Sequence, residues 1–118
     1  LARAVAELVE DGAQVVAVEC DVADRDRVRE FVAVARQRNG PIDVLINNAG
    51  VIRVGPVEEM REEDYDQSLQ VHFWAPYYFV EEVLPDMRAR KGGRIVNISS
   101  FGGKVGVPHL VPYFAGKF

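Results

Sequence analysis

Three side chains near the carboxyl end of the chain have types and spacing suited to moving a proton. Tyr113 and Lys117 stand four residues apart, and Ser100 lies thirteen residues before the tyrosine. Positions i and i+4 of a helix share one face, so this spacing sets an ammonium beside a phenol. A free phenol, with a pKa of about 10, exchanges its proton poorly at neutral pH. A cation at ~4 Å, at an effective dielectric of about 20, favours a phenolate by roughly 4 kcal/mol. Bringing a phenol near pH 7 takes about three pKa units, roughly the same energy. Such a pair can serve as a general acid/base near neutrality. A serine hydroxyl beside it can hold a carbonyl or alcohol oxygen while charge develops there.

The elements that must position these groups fit one small domain. The chain has 118 residues, 48% hydrophobic and 27% charged, a globular balance rather than a disordered one. A net charge of −4 leaves no basic footprint for nucleic acid, and no basic cluster suggests an anionic membrane. Cys20 is the single cysteine, so there is no disulfide and no metal-binding cysteine set. A reducing, cytoplasmic compartment fits. No apolar run approaches the ~18 residues of a membrane span.

Taken in order, residues 1–11 read as the end of an amphipathic helix, with Val5, Leu8 and Val9 on one face and Gly12 as the stop. The β-branched run at 14–19 predicts a strand buried on both faces. Asp24 is placed to cap a helix whose core stripe is Val28, Phe31, Val32 and Ala35. Asn39, Gly40 and Pro41 end that helix, and residues 42–47 predict a second buried strand. A long helical stretch follows from about Glu62 to Arg90, with Pro76 and Pro85 expected to bend or break it. Residues 94–99 predict the third strand. After the open loop with Gly102, Gly103 and Gly106, Pro112 opens the helix of Tyr113 and Lys117.

Helices alternating with unalternated apolar strands predict an α/β fold with a mainly parallel sheet. Asp21, the Asn47–Asn48 pair and the Ser99–Ser100 pair each fall at the carboxyl end of a predicted strand. Open α/β sheets bind their ligands at that edge. Three strands therefore deliver polar groups to one place.

NNAG at 47–50, RIVNISS at 94–100 and the Ser100/Tyr113/Lys117 spacing resemble the short-chain dehydrogenases/reductases. These move a hydride between NAD or NADP and a carbonyl or alcohol. The resemblance extends over essentially the whole chain and implies a partial Rossmann-like, doubly wound parallel sheet of three strands with flanking helices. It implies that Ser100 positions the substrate oxygen and that Tyr113 exchanges the proton. Lys117 would favour the phenolate and bond the nicotinamide ribose. For cofactor contacts it points to Asp21 and Val22 on the adenine side, and to Asn47, Ala49, Gly50 and Val71, besides Tyr113 and Lys117. Asparagine donates and accepts, so Asn47 and Asn48 can also tie neighbouring strand ends together. The long helix commonly packs on its counterpart in a family dimer or tetramer. A homo-oligomer is implied, and the cluster Phe73, Trp74, Tyr77, Tyr78 and Phe79 suits a core or a helix–helix interface. Lys104 and His109 stand where family members line the substrate pocket; as plain sequence they read as a solvated loop.

The chain departs from the family pattern in two respects. His72 occupies a position where family members usually carry an asparagine that holds a water in a proton relay. Imidazole also donates and accepts, so a relay through His72 is expected, beside the alternative of a histidine satisfied within its helix. The family's TGxxxGxG turn, its first two strands and its ribose-reading residue have no counterpart here. The resemblance puts them before Leu1, with the later strands after Phe118. Residues 1–118 are thus expected to be an incomplete NAD(P)-binding domain, with the choice between NAD and NADP unreadable. Alternatives are a family member that binds nucleotide without turnover, and a truncated product inactive by itself.

Overall fold

The computed structural model describes all 118 residues, Leu1–Phe118. Helix α1 (Ala2–Glu10) and helix α2 (Arg25–Asn39) precede strand β1 (Val44–Asn47). A short 3-10 turn (Val57–Glu59) leads into α3 (Glu62–Leu69). The same rod continues through a π-helical turn (Gln70–Trp74) into α4 (Ala75–Ala89). Strand β2 (Arg94–Asn97), a 3-10 turn (Phe101–Gly103) and α5 (Val111–Lys117) complete the chain. No helix is long and apolar enough to cross a membrane.

Local chemistry sets these boundaries. Asp24 caps α2, its Oδ1 accepting from the amides of Asp26 at 2.9 Å and Arg27 at 3.2 Å. Gly12 closes α1 with a φ of 83°, a left-handed turn that glycine adopts without a Cβ penalty. The two prolines of the long helix do not break it. Pro76 lacks an N–H and stands in the first turn of α4, immediately after the π-helical turn that widens the rod. Pro85 lies inside α4, which runs on to Ala89.

β1 and β2 pair in parallel, with Val44 opposite Arg94 and Asn47 opposite Asn97. The amide of Ile98 extends the ladder to the Asn47 carbonyl at 2.9 Å. α2 and α4 cover one face of this pair. Val32, Val83 and Met87 form the centre of the core, flanked by Phe31, Ile42, Leu45, Phe79 and Ile95. Phe31 and Phe79 meet edge to face, centroids 5.8 Å apart. Exposed ion pairs Arg25–Glu81 (2.6 Å) and Arg36–Asp86 (2.8 Å) span the same two helices and add little beyond alignment.

Two expectations are corrected. The predicted strand at 14–19 is not a strand: no main-chain hydrogen bond joins residues 14–20 to any other element. The sheet has two strands, not three. A β-branched run becomes a strand only when a neighbour takes its ladder bonds, and no strand of the sheet pairs with this run. Burial on both faces is also not seen. Val44, Ile46 and Val96 are exposed, because no helix of the chain lies over that side. Finally, the apolar stripe of α1 is unpartnered, and the helix buries no residue.

Candidate active site

At the carboxyl edge of the sheet, two neighbouring loops and α5 converge. The Asn47 amide donates to Asn97 Oδ1 at 2.8 Å, joining the two strand ends as the asparagine pair suggested. Beyond β2, Ser100 caps the 3-10 turn, its Oγ accepting from the Gly102 amide at 3.1 Å. The hydroxyl proton is left to donate elsewhere. Gly102 is buried, and a Cβ there would clash with the Phe114 ring and come within 3.2 Å of Tyr113. The turn carrying Ser100 therefore lies directly against α5.

Helix α5 is held by buried Pro112 and Phe114. Tyr113 and Lys117 share one face of it, with Lys117 Nζ 5.9 Å from the Tyr113 ring centroid. Nζ also donates to the Ile98 carbonyl at 2.9 Å, which leaves two N–H bonds free. Ser100, Tyr113 and Lys117 are all half-buried.

His72 joins the same cluster from the π-helical turn. Its ring meets Tyr113 edge to face, centroids 5.3 Å apart. Nε2 accepts from the Val51 amide at 3.2 Å, and Nδ1 lies 3.1 Å from Ser68 Oγ. Burial, then the Lys117 cation, push its pKa below the usual 6.5, while a hydrogen bond with the Ser68 main chain works weakly the other way. Ser68 is the buried polar residue of this region, 3% exposed.

The expected cofactor residues divide. Val22, Asn47, Asn48, Ala49 and Val71 line one cleft of about 430 Å³ along the free edge of β1. Its deeper part is apolar, walled by Phe31, Val32, Phe79 and Val83. Gly50 lies beside it, where a Cβ would stand 3.2 Å from His72 Nε2. Asp21 is not part of that lining. Its carboxylate accepts from the Ala23 amide at 3.0 Å and its carbonyl from Asp24 at 3.1 Å, a turn-forming role. Burial, then Asp21 and Asp24, push the Cys20 thiol up, away from the thiolate form.

Ser68, Gly116 and Asn97 escaped sequence reasoning. Ser68 stands four residues before His72, a spacing that signals a shared helix face; Asn97 and Gly116 carry no signal without their neighbours.

The description "short chain dehydrogenase" fits a family model that matches residues 1–118. The chain belongs to the short-chain dehydrogenases/reductases. A Streptomyces violaceoruber protein, named provisionally as a ketoacyl reductase of the granaticin polyketide synthase, is 43% identical over 119 residues. That match takes in 99% of this chain and 44% of the relative. A short-chain dehydrogenase of Streptomyces avermitilis superposes with a TM-score of 0.87 at 36% identity, over 98% of this chain and 43% of the other. A metagenomic short-chain oxidoreductase solved with NADP gives 0.88 at 37% identity, over 98% of this chain and 53% of that one. The short-chain dehydrogenase chain thus spans less than half the length of the curated relatives it matches, and its fold is a partial Rossmann-like α/β fold.

Proposed function

We propose that the chain is the catalytic portion of an NAD(P)-dependent oxidoreductase that interconverts a carbonyl and an alcohol. The observation that carries this lies at the carboxyl edge of a parallel sheet: Lys117 Nζ stands over the Tyr113 ring, and the turn capped by Ser100 packs against their helix. Relatives named as a gluconate 5-dehydrogenase of Gluconobacter oxydans and a 3-oxoacyl reductase of Thermotoga maritima support a ketone/secondary alcohol pair as substrate.

In the reductive direction, Ser100 donates a hydrogen bond to the carbonyl oxygen and Tyr113 gives that oxygen its proton. Lys117 stabilises the negative charge then developing on the phenolate. A nicotinamide cofactor, when bound, supplies the hydride and takes it back in the reverse direction. The residues fit such a group. Val22, Ala49 and Val71 offer apolar surface for adenine, Asn47 and Asn48 lie at the polar mouth of the same cleft, and Lys117 keeps two N–H bonds for a ribose hydroxyl. The chain holds no glycine-rich phosphate turn, so it forms an incomplete cofactor domain, the pyrophosphate being held by the rest of the fold. Either NAD or NADP is compatible. Exposed Leu69, Phe73, Trp74 and Tyr77 along the long helix support a homo-oligomer, and the lone thiol of Cys20 a cytoplasmic protein.

The test is reduction of a ketone panel by the complete enzyme, with the nicotinamide absorbance as readout. Tyr113→Phe should abolish turnover yet bind cofactor as before. Undiminished turnover would overturn the reading.

A further inference from the structure

The imidazole of His72 is hydrogen-bonded on both sides. A main-chain amide can only donate, so the Val51 N–H, 3.2 Å away, requires an unprotonated Nε2. The ring proton of the neutral form must then sit on Nδ1, where Ser68 Oγ at 3.1 Å can accept it. Space around the ring is equally committed. A Cβ on Gly50 would stand 3.2 Å from Nε2, and a Cβ on Gly116 would stand 2.7 Å from Nδ1 and 2.6 Å from Ser68 Oγ. Glycine is present at both places, so the ring fills the gap between the loop after β1 and α5. Tyr113 closes it edge-on.

We propose that His72, oriented by Ser68, is a positioning residue that clips the Asn47–Val51 loop to the helix of Tyr113 and Lys117. It is not a proton relay. A relay needs a ring nitrogen that exchanges protons with substrate or water, and here both nitrogens are bound to protein groups that do not titrate. The depressed basicity of the ring, caused by burial and by Lys117, agrees with a role played in the neutral form. Ser68 sets the tautomer; Gly50 and Gly116 make the room. The inference rests on the oxidoreductase reading for its consequence in catalysis, but not for the geometry of the clip.

Two experiments on the complete enzyme separate these. Nitrogen-15 NMR of histidine-labelled enzyme, with the signals lost in His72→Gln giving the assignment, should show His72 neutral at pH 7 with the proton on Nδ1. Protonation on Nε2, or a charged ring at pH 7, would overturn the proposal whether or not the enzyme reduces ketones. Steady-state kinetics give the second readout. The amide of glutamine reaches the position of Nε2, whereas that of asparagine reaches only Nδ1. His72→Gln should therefore stay within about threefold of wild type, while His72→Asn and Ser68→Ala raise the cofactor KM about tenfold at nearly constant kcat, the effect of losing one hydrogen bond. A fall in kcat at unchanged KM, with His72→Asn outperforming His72→Gln, would instead establish a relay. Wild-type enzyme that turns over no ketone, but shows the Nδ1 tautomer, would sink the functional reading and leave the clip standing.

Discussion

Lys117 donates from Nζ to the main-chain carbonyl of Ile98 at 2.9 Å, so the cation of the Tyr113 helix is anchored to the end of β2. The side chain is not free to swing. Its distance from the Tyr113 ring, 5.9 Å to the centroid, follows from a strand end as much as from helix spacing.

Removing that cation should affect chemistry more than folding. Lys117→Met is expected to lower turnover of the complete enzyme at least about 100-fold, the scale of one positioned acid/base group. The far-ultraviolet spectrum should be unchanged. A variant keeping more than a tenth of wild-type activity would show that the cation is dispensable.

His72 makes stability depend on pH with a definite sign. Its pKa is depressed in the folded state, so the unfolded chain binds more protons as pH falls below 6.5. The stabilisation is fully present above 6.5 and is lost as pH falls through the folded-state value. The groups facing the ring are Ser68 from α3, Val51 from the loop, and Tyr113 and Lys117 from α5. Melting temperature should therefore rise between pH 5 and 7, more steeply in wild type than in His72→Gln. Parallel curves would refute the linkage.

Asn47 and Asn97 should show measurable but small coupling. Their side-chain bond is 2.8 Å long and exposed, so a double-mutant cycle with alanine is expected to give about 0.5 kcal/mol, the low end for a hydrogen bond. Coupling indistinguishable from zero would show that the strand ends are held by the ladder alone.

Val83 is 1% exposed at the centre of the only substantial core. Val83→Ala removes two methyl groups from contact with Val32 and Met87, and should cost about 2 kcal/mol in the complete enzyme. Denaturant midpoints would reveal a smaller loss if the neighbours collapse into the space.

The 118-residue chain by itself should melt without a sharp transition. Only 10 of its 118 residues are buried, and its radius of gyration is 16.4 Å, where a compact domain of this length has about 13.5 Å. The free edge of β1 and the bare face of Val44, Ile46 and Val96 add aggregation-prone surface. A cooperative calorimetric peak with micromolar cofactor binding would contradict this expectation.

What the amino-acid sequence determined alone was local. Periodicity and capping placed α1, α2, the long helix and α5 to within a residue or two, because a helix satisfies its own main chain and Asp24 can begin one, or Gly12 end one, unaided. The spacing of Tyr113 and Lys117 likewise put them on one face before any packing was known. Tertiary structure decided everything that needs a partner. Residues 14–19 have the composition of a strand but no neighbouring strand, so no ladder forms, whereas 44–47 and 94–97 find each other. Packing also settled His72, whose ring nitrogens find Val51 and Ser68 as partners while Gly116 leaves the ring its space, from three separate elements. A hydrogen bond or a steric fit between distant segments has no sequence period, and only the folded chain brings its two sides together.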